Sequence, residues 1–188
     1  MPVISITLLP GYSAQAQQRM VARVAQAARS VIAASSAGTT VFVHQASTYQ
    51  RDGQVFSAGG AERPDAGVLV REFLALMQAR DLAGAGRFLS GGFSMHFPGA
   101  AAMHRLDELL DWARGRYRSI AKDYERQDEC WSTDAAVVYC SGTLNGVWLD
   151  GSAFSGIRFI DRFEVVDGLI LRQDVWNDLA DARAVAQA

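Results

Sequence analysis

Asp-Gly occurs twice in the last third of this chain, at Asp150-Gly151 and Asp167-Gly168, each time between long runs of alternating apolar and polar residues. The dipeptide tolerates the left-handed backbone of a tight hairpin, so it joins antiparallel neighbours. The alternation predicts strands over about 119–131, 135–148, 153–166 and 169–177. Ahead of them Val68, Val70, Phe73, Leu74, Leu76 and Met77 recur at helical spacing, and a shorter helical turn runs from Leu82 to Leu89. Phe93, Met95 and Phe97 alternate with Ser94 and His96 in a strand closed by Pro98-Gly99, and Leu106, Leu109, Leu110, Trp112 and Ala113 mark another amphipathic helix. Helices followed by a meander of long strands define an α+β domain over 66–184.

Within 157–165 the alternation exposes a candidate. Ile157, Phe159, Phe163 and Val165 share one strand face, and Asp161 sits in its middle. A carboxylate on an apolar face is costly unless paired, hydrogen-bonded or protonated, which makes it a functional candidate. On the next strand Asp174 is expected to share a face with Ile170, Arg172, Trp176 and Asp178. An Asp161–Arg172 or Asp174–Arg158 ion pair is the structural alternative. His96 and His104 flank the Phe97-Pro98-Gly99 turn, as acid–base groups or as exposed loop-edge residues. Tyr124, Trp131, Tyr139, Trp148 and Trp176 supply aromatic area either for a ligand pocket or for the core of a curved sheet.

The first third is a separate unit over 1–62, joined through the polar stretch Ala61 to Gly67. Val3 to Leu9 reads as a strand broken by Pro10-Gly11, with Ser13 as helix N-cap. Met20, Val21, Val24, Ala28, Val31 and Ile32 form the apolar helix face up to Gly38. Val41 and Val43 begin a second strand, followed by a Gly- and Ser-bearing tail. Strand, crossover helix and strand imply a right-handed parallel pair. A unit this small buries little surface, so a homo-oligomer is expected. Removal of Met1 leaves Pro2 as a secondary amine, and ordinary α-amino groups titrate at roughly 7.7–8.0.

Residues 2–60 resemble the 4-oxalocrotonate tautomerase family in Pro2, Leu8-Leu9-Pro10-Gly11, the amphipathic helix, the Thr40–Val43 strand and Val55-Phe56-Ser57-Ala58-Gly59-Gly60. The resemblance implies Pro2 as acid–base in an enol acid and Phe56 as an apolar wall. Tyr12 and Phe42 stand where the family places its two substrate-holding arginines; His44 and Arg51 are the nearby substitutes. Residues 66–183 resemble the NTF2-like superfamily, in particular SnoaL-like polyketide cyclases and ketosteroid isomerases. The resemblance rests on Val70-Arg71-Glu72-Phe73-Leu74, Phe97-Pro98-Gly99, Arg158 to Phe163, Asp167-Gly168-Leu169-Ile170 and Trp176-Asn177-Asp178. It implies a curved antiparallel sheet wrapped around helices, with a conical pocket. Asp161 falls where the isomerases place a protonated aspartic acid, a case the general chemistry of carboxyl pKa tuning already describes. Their oxyanion tyrosine and their base would be Phe73 and Phe97.

The 188 residues carry a net charge of −2, unevenly divided: residues 1–63 sum to +3 and residues 64–188 to −5. That balance suits a small-molecule substrate and gives no basic cluster for nucleic acid. No long apolar run predicts a membrane span, and the start lacks a secretory pattern. Cys130 and Cys140 are expected as reduced core thiols, with no zinc spacing or phosphate loop. The expectation is a cytoplasmic protein without cofactor or metal. Its leading function is a keto–enol tautomerase with catalytic Pro2, Asp161, Asp174 and His96 and substrate-binding His44, Arg51, Phe56, Tyr139 and Trp176. The alternatives are an isomerase, cyclase or dehydratase working in the second pocket on a larger apolar substrate, or a non-catalytic ligand-binding oligomer.

Overall fold

Ile4, Ile6 and Leu8 alternate with Val3, Ser5 and Thr7 along β1 (Val3–Leu8), and only the first set is half-buried. A computed structural model describes residues 1–132 and 134–186 and divides the chain into two units, Met1–Glu62 and Arg63–Ala188. In the first, α1 (Ala14–Val31) starts where the Ser13 hydroxyl accepts from the Ala16 N–H at 3.1 Å. Glu62 takes both the backbone N–H and the hydroxyl of Ser13. The helix ends at Val31, earlier than Gly38, and Ser36–Gly38 forms a separate 3-10 turn. β2 (Thr40–Gln45) runs parallel to β1 with Ile4 opposite Val41 and Ile6 opposite Val43.

The expected irregular tail is instead a hairpin, β3 (Tyr49–Arg51) and β4 (Gln54–Phe56). Asp52 and Gly53 turn it with φ of 50° and 79°, the left-handed pair that such a turn demands. No residue of Met1–Glu62 is buried. One face of the β1–β2 pair carries Val3 and Phe42 in the open, 64% and 49% exposed.

The second unit begins with α2 (Ala66–Gln78), capped by Asp65, whose carboxylate accepts from the Val68 N–H at 3.1 Å. α3 (Leu82–Gly86) is capped likewise by Asp81. β5 (Leu89–His96), α4 (Leu106–Arg114), β6 (Tyr117–Ser132), β7 (Ala135–Trp148), β8 (Ala153–Val166), β9 (Leu169–Asn177) and α5 (Leu179–Ala186) follow. The sheet order is β5-β9-β8-β7-β6. β6 to β9 form the expected meander, but β5 joins β9 in parallel, so the sheet is mixed rather than antiparallel. Register breaks at Tyr124/Arg126, Leu144/Gly146 and Glu164/Val165 bend and twist the strands into a curved sheet.

Two apolar clusters fill the concave side. Val70, Phe73 and Leu74 of α2 pack with Met95, Val138 and Phe163. Leu144, Trp148, Ile157 and Phe159 form the other cluster, with Tyr117, Phe154 and Leu179 against them. Cys140 is buried, whereas Cys130 is exposed and not the core thiol expected. Among the described residues, no helix is long and apolar enough to cross a membrane.

Candidate functional site

Where the two clusters meet, the second unit leaves a cavity of about 130 Å³. That is the order of size of a cavity that holds benzene, roughly 150 Å³. Phe73 and Met77 of α2, Trp112 of α4 and Phe97 wall one side; Tyr124, Leu144 and Phe159 wall the other. Phe73 and Phe97 thus line the space as hydrocarbon, at the positions where the isomerase resemblance would have put polar catalytic groups.

Polar groups interrupt this wall at Gln78, Arg80, Gln173 and Asn177, and at Lys122, which lines the cavity from β6. Of the 18 lysine and arginine residues in the sequence it is the single lysine. Its Nζ lies 4.5 Å from the centre of the Phe159 ring and donates a hydrogen bond to Asp161 Oδ2. Asp161 is fully buried, 0% exposed, with Ile157, Phe159, Phe163 and Val165 buried on the same strand face, as the alternation of β8 predicts. Its other oxygen, Oδ1, has no hydrogen-bond partner among the described residues. Burial pushes the carboxyl of Asp161 up from the ordinary aspartate value, and the Lys122 ammonium pulls it partly back.

The register explains how the pair meets. Lys122 stands opposite Leu144, and Asp161 opposite Cys140; Gly142 lies between them on the same face of β7. A Cβ at Gly142 would run into the Asp123 backbone carbonyl. The missing side chain also lets the Tyr124 and Phe159 rings meet edge-on across it, 5.6 Å apart. Burial, then the charge on Asp161, raises the Tyr124 phenol far above its usual value, so it stays a neutral donor. The same two causes push the Cys140 thiol up to about 12, which keeps it unreactive. Arg80 lines the cavity too, from the end of α2, with a left-handed φ of 62°.

The other candidates lie elsewhere. Ile170 and Asp174 have the same parity, yet they occupy opposite faces of the sheet. Val165 pairs with Ile170 and Glu164 with Arg172, so Leu171 is an extra residue that switches the face of everything after it. Asp174 therefore faces away from the cavity. Arg172 Nε donates to both its oxygens at 2.9 Å, and Arg162 Nη1 to Oδ2 at 3.3 Å. His96 Nδ1 stands 3.2 Å from Asp174 Oδ1 on the same outer face. Neither anticipated ion pair forms, since Asp161 holds Lys122 and Arg158 holds Asp178. Tyr139 and Trp176 are also on the outer face, 38% and 53% exposed, opposite Arg162 and Ile160 respectively. His104 donates Nδ1–H to the Phe93 carbonyl at 3.0 Å. Of the five aromatic residues singled out in the sequence, Tyr124 lines the cavity, Trp148 is core and Trp131 lies under Arg63.

In the first unit, the Pro2 carbonyl accepts from the Thr40 N–H at 3.1 Å, at the start of the parallel pair. His44 pairs with Thr7 five residues further along β1, roughly 16 Å at the usual rise per residue. Pro2 and His44 of one chain therefore do not share a site. His44 stacks on Phe42 at 6.2 Å, while Phe56 and Arg51 both pack on Tyr49. The tail beyond Phe56 is tied to the far end of β1, Gly59 N–H to the Pro10 carbonyl at 2.8 Å and Gly60 N–H to the Tyr12 hydroxyl at 2.9 Å.

Lys122 was legible only as a count, one lysine against so many arginines; spacing gave no sign of it. Among the described residues, no group of three His, Cys, Asp or Glu is placed to hold a metal ion.

Solved structures share this architecture. An NTF2-like protein from Burkholderia thailandensis is 16% identical with a TM-score of 0.54, over 68% of this chain and 100% of its own. A candidate polyketide cyclase from Pseudomonas putida is 16% identical with a TM-score of 0.51, over 63% of this chain and 96% of its own. TerC, co-crystallised with polyporic acid, is 14% identical with a TM-score of 0.51, over 64% of this chain and 97% of its own. At such identities the similarity is one of fold. The sequence matches no protein-family model and no curated protein. About two thirds of the chain, the share taken up by its second unit, has the NTF2-like fold. The tautomerase resemblance of residues 1–62 rests on their residue pattern alone.

Proposed function

We propose that the cavity of the second unit is a proton-transfer site for a small, largely apolar carbonyl or enol compound, in an isomerase- or cyclase-type reaction. One observation carries this reading: the chain's single lysine stands in a mostly apolar wall, hydrogen-bonded to a carboxylate with no solvent exposure. Lys122 is the group that meets the ligand. Asp161 touches no cavity space of its own and acts as a positioning residue, exchanging a proton with Nζ from behind. Burial disfavours the charged form of Asp161, which makes its neutral acid more accessible. The Tyr124 hydroxyl is a neutral donor for an enolate or carbonyl oxygen. An NTF2-like fold co-crystallised with polyporic acid and another named as a candidate cyclase fit a ligand of this class.

Pro2 is the weaker candidate. Its supports are the β-α-β order and the N-terminal position, but neither His44 nor the tail-borne Phe56 joins it within the chain. For the first unit we propose association with a second copy through the open face bearing Val3 and Phe42, to be checked by sedimentation of full-length protein and a Phe42→Glu variant.

The test of the cavity is exchange of the α-protons of cyclohexanone, acetophenone and 2-tetralone in D2O, followed by NMR. Wild type accelerates the exchange, and Lys122→Gln loses about 100-fold or more, the scale of general acid–base catalysis. Asp161→Asn also loses rate, because Nζ no longer has a carboxylate to exchange its proton with. Equal exchange in wild type and Lys122→Gln would sink the reading.

A further inference from the structure

We propose that Lys122 captures apolar aldehydes and ketones covalently, as an imine on Nζ. This deepens the reading that the cavity takes a carbonyl ligand, and rests on it. Three features point to a nucleophile rather than a fixed charge. The Lys122 side chain is 22% exposed, and what it meets is a cavity lined mostly by aromatic and aliphatic groups. The carboxylate it holds has no exposure, so that partner is reserved for Nζ and unavailable to solvent. Every other always-charged basic side chain in the chain is an arginine, whose guanidinium does not lose its proton in proteins, and none of the three histidines lines the cavity. A lysine at a cavity wall, with a carboxylate behind it to take its proton, is placed to act as a nucleophilic amine.

The step balances through Asp161. The Nζ ammonium gives one proton to the Asp161 carboxylate and becomes an amine with a free pair. That pair forms the N–C bond to the carbonyl carbon, the C=O π pair moves to oxygen, and that oxygen takes a proton from the adjoining nitrogen. Asp161 then returns its proton to the nitrogen, which passes one on to the hydroxyl. The C–O bond then breaks, water leaves, and the nitrogen pair closes the C=N bond. The sum is ammonium plus carbonyl giving iminium plus water, with Asp161 a carboxylate before and after. The ion pair is kept throughout: the iminium occupies the place of the ammonium. Phe159, already 4.5 Å from Nζ, faces that cation with its ring.

The chain offers a clean readout, since its only other amine is the N-terminal one. Full-length protein is incubated with benzaldehyde or cinnamaldehyde and sodium cyanoborohydride, then measured by intact mass and peptide mapping. The expected result is one reduced adduct per chain on Lys122, suppressed by indane, which has the ring shape without the carbonyl. Lys122→Arg keeps the charge and a partner for Asp161, so it guards against loss of folding; it carries no adduct at residue 122. Adduct confined to the N-terminus, or labelling of Lys122 that indane does not suppress, overturns the covalent proposal. If α-proton exchange persists with no Lys122 adduct, the cavity reading survives and only the imine falls. If neither is seen, both fall.

Discussion

Lys122 on β6 reaches diagonally over β7, across the position of Gly142, to hydrogen-bond Asp161 on β8. The contact joins residues 39 apart in sequence. It is asymmetric, because Asp161 is wholly enclosed while Lys122 retains some access to solvent.

The asymmetry predicts unequal mutational costs. Lys122→Met leaves a buried carboxylate without its counter-charge and costs about 2–3 kcal/mol, somewhat under the usual figure for a broken buried pair because one partner is partly solvated. Asp161→Asn removes the enclosed charge and lets the ammonium extend toward water, so its cost is under about 1 kcal/mol. The double variant Lys122→Met/Asp161→Asn regains most of the loss. Urea unfolding of the second-unit transition measures all three, and equal costs for the two single variants would refute the asymmetry.

Stability also depends on pH through Asp161. Burial raises its carboxyl in the folded state above the unfolded value of about 3.9. In the window above that value the folded chain holds a proton the unfolded chain has lost, so unfolding releases one. The contribution of Asp161 is thus fully present below the unfolded pKa and lost as pH rises through the folded pKa. Wild type should lose stability relative to Asp161→Asn as pH rises from about 4 toward neutrality. Thermal melts of the pair across that range provide the check; a difference that grows in wild type's favour has the wrong sign.

The outer-face cluster gives the contrasting case. Asp174 neutralises Arg172 and Arg162 together, with His96 alongside. Asp174→Asn leaves two adjacent guanidinium groups without their shared carboxylate. With both arginines partly solvated, the cost is about 1–2 kcal/mol. α-Proton exchange and ring-ligand binding in the cavity stay at wild-type level. Loss of exchange in a folded Asp174→Asn protein would move the chemistry to the outer face.

Arg80 ends α2 in the left-handed region, where a side chain costs about 1–2 kcal/mol that glycine avoids. Arg80→Gly is expected to raise the unfolding free energy by about 1 kcal/mol. It also removes a cation from the cavity wall, so carboxylated aryl ketones bind more weakly while neutral ones do not. A calorimetric scan and a fluorescence titration on Trp112 separate the two effects.

Local pattern determined much of this protein. Asp167-Gly168 set its hairpin, because both residues take the left-handed turn the dipeptide allows, and Asp150-Gly151 marked the other bend, where Gly151 alone is left-handed in the link over 149–152. β7 and β8 run as their alternation predicts, and the same alternation buried Asp161 among apolar neighbours. Tertiary structure decided what alternation does not encode. One extra residue at Leu171 turned Asp174 outward, since a period of two reverses with every single-residue slip. The parallel β5–β9 pairing, the choice of Lys122 as partner and the gap left by Gly142 all depend on register between strands far apart in sequence. Side chains meet across a curved sheet by diagonal reach, and that reach exists only once the sheet has closed.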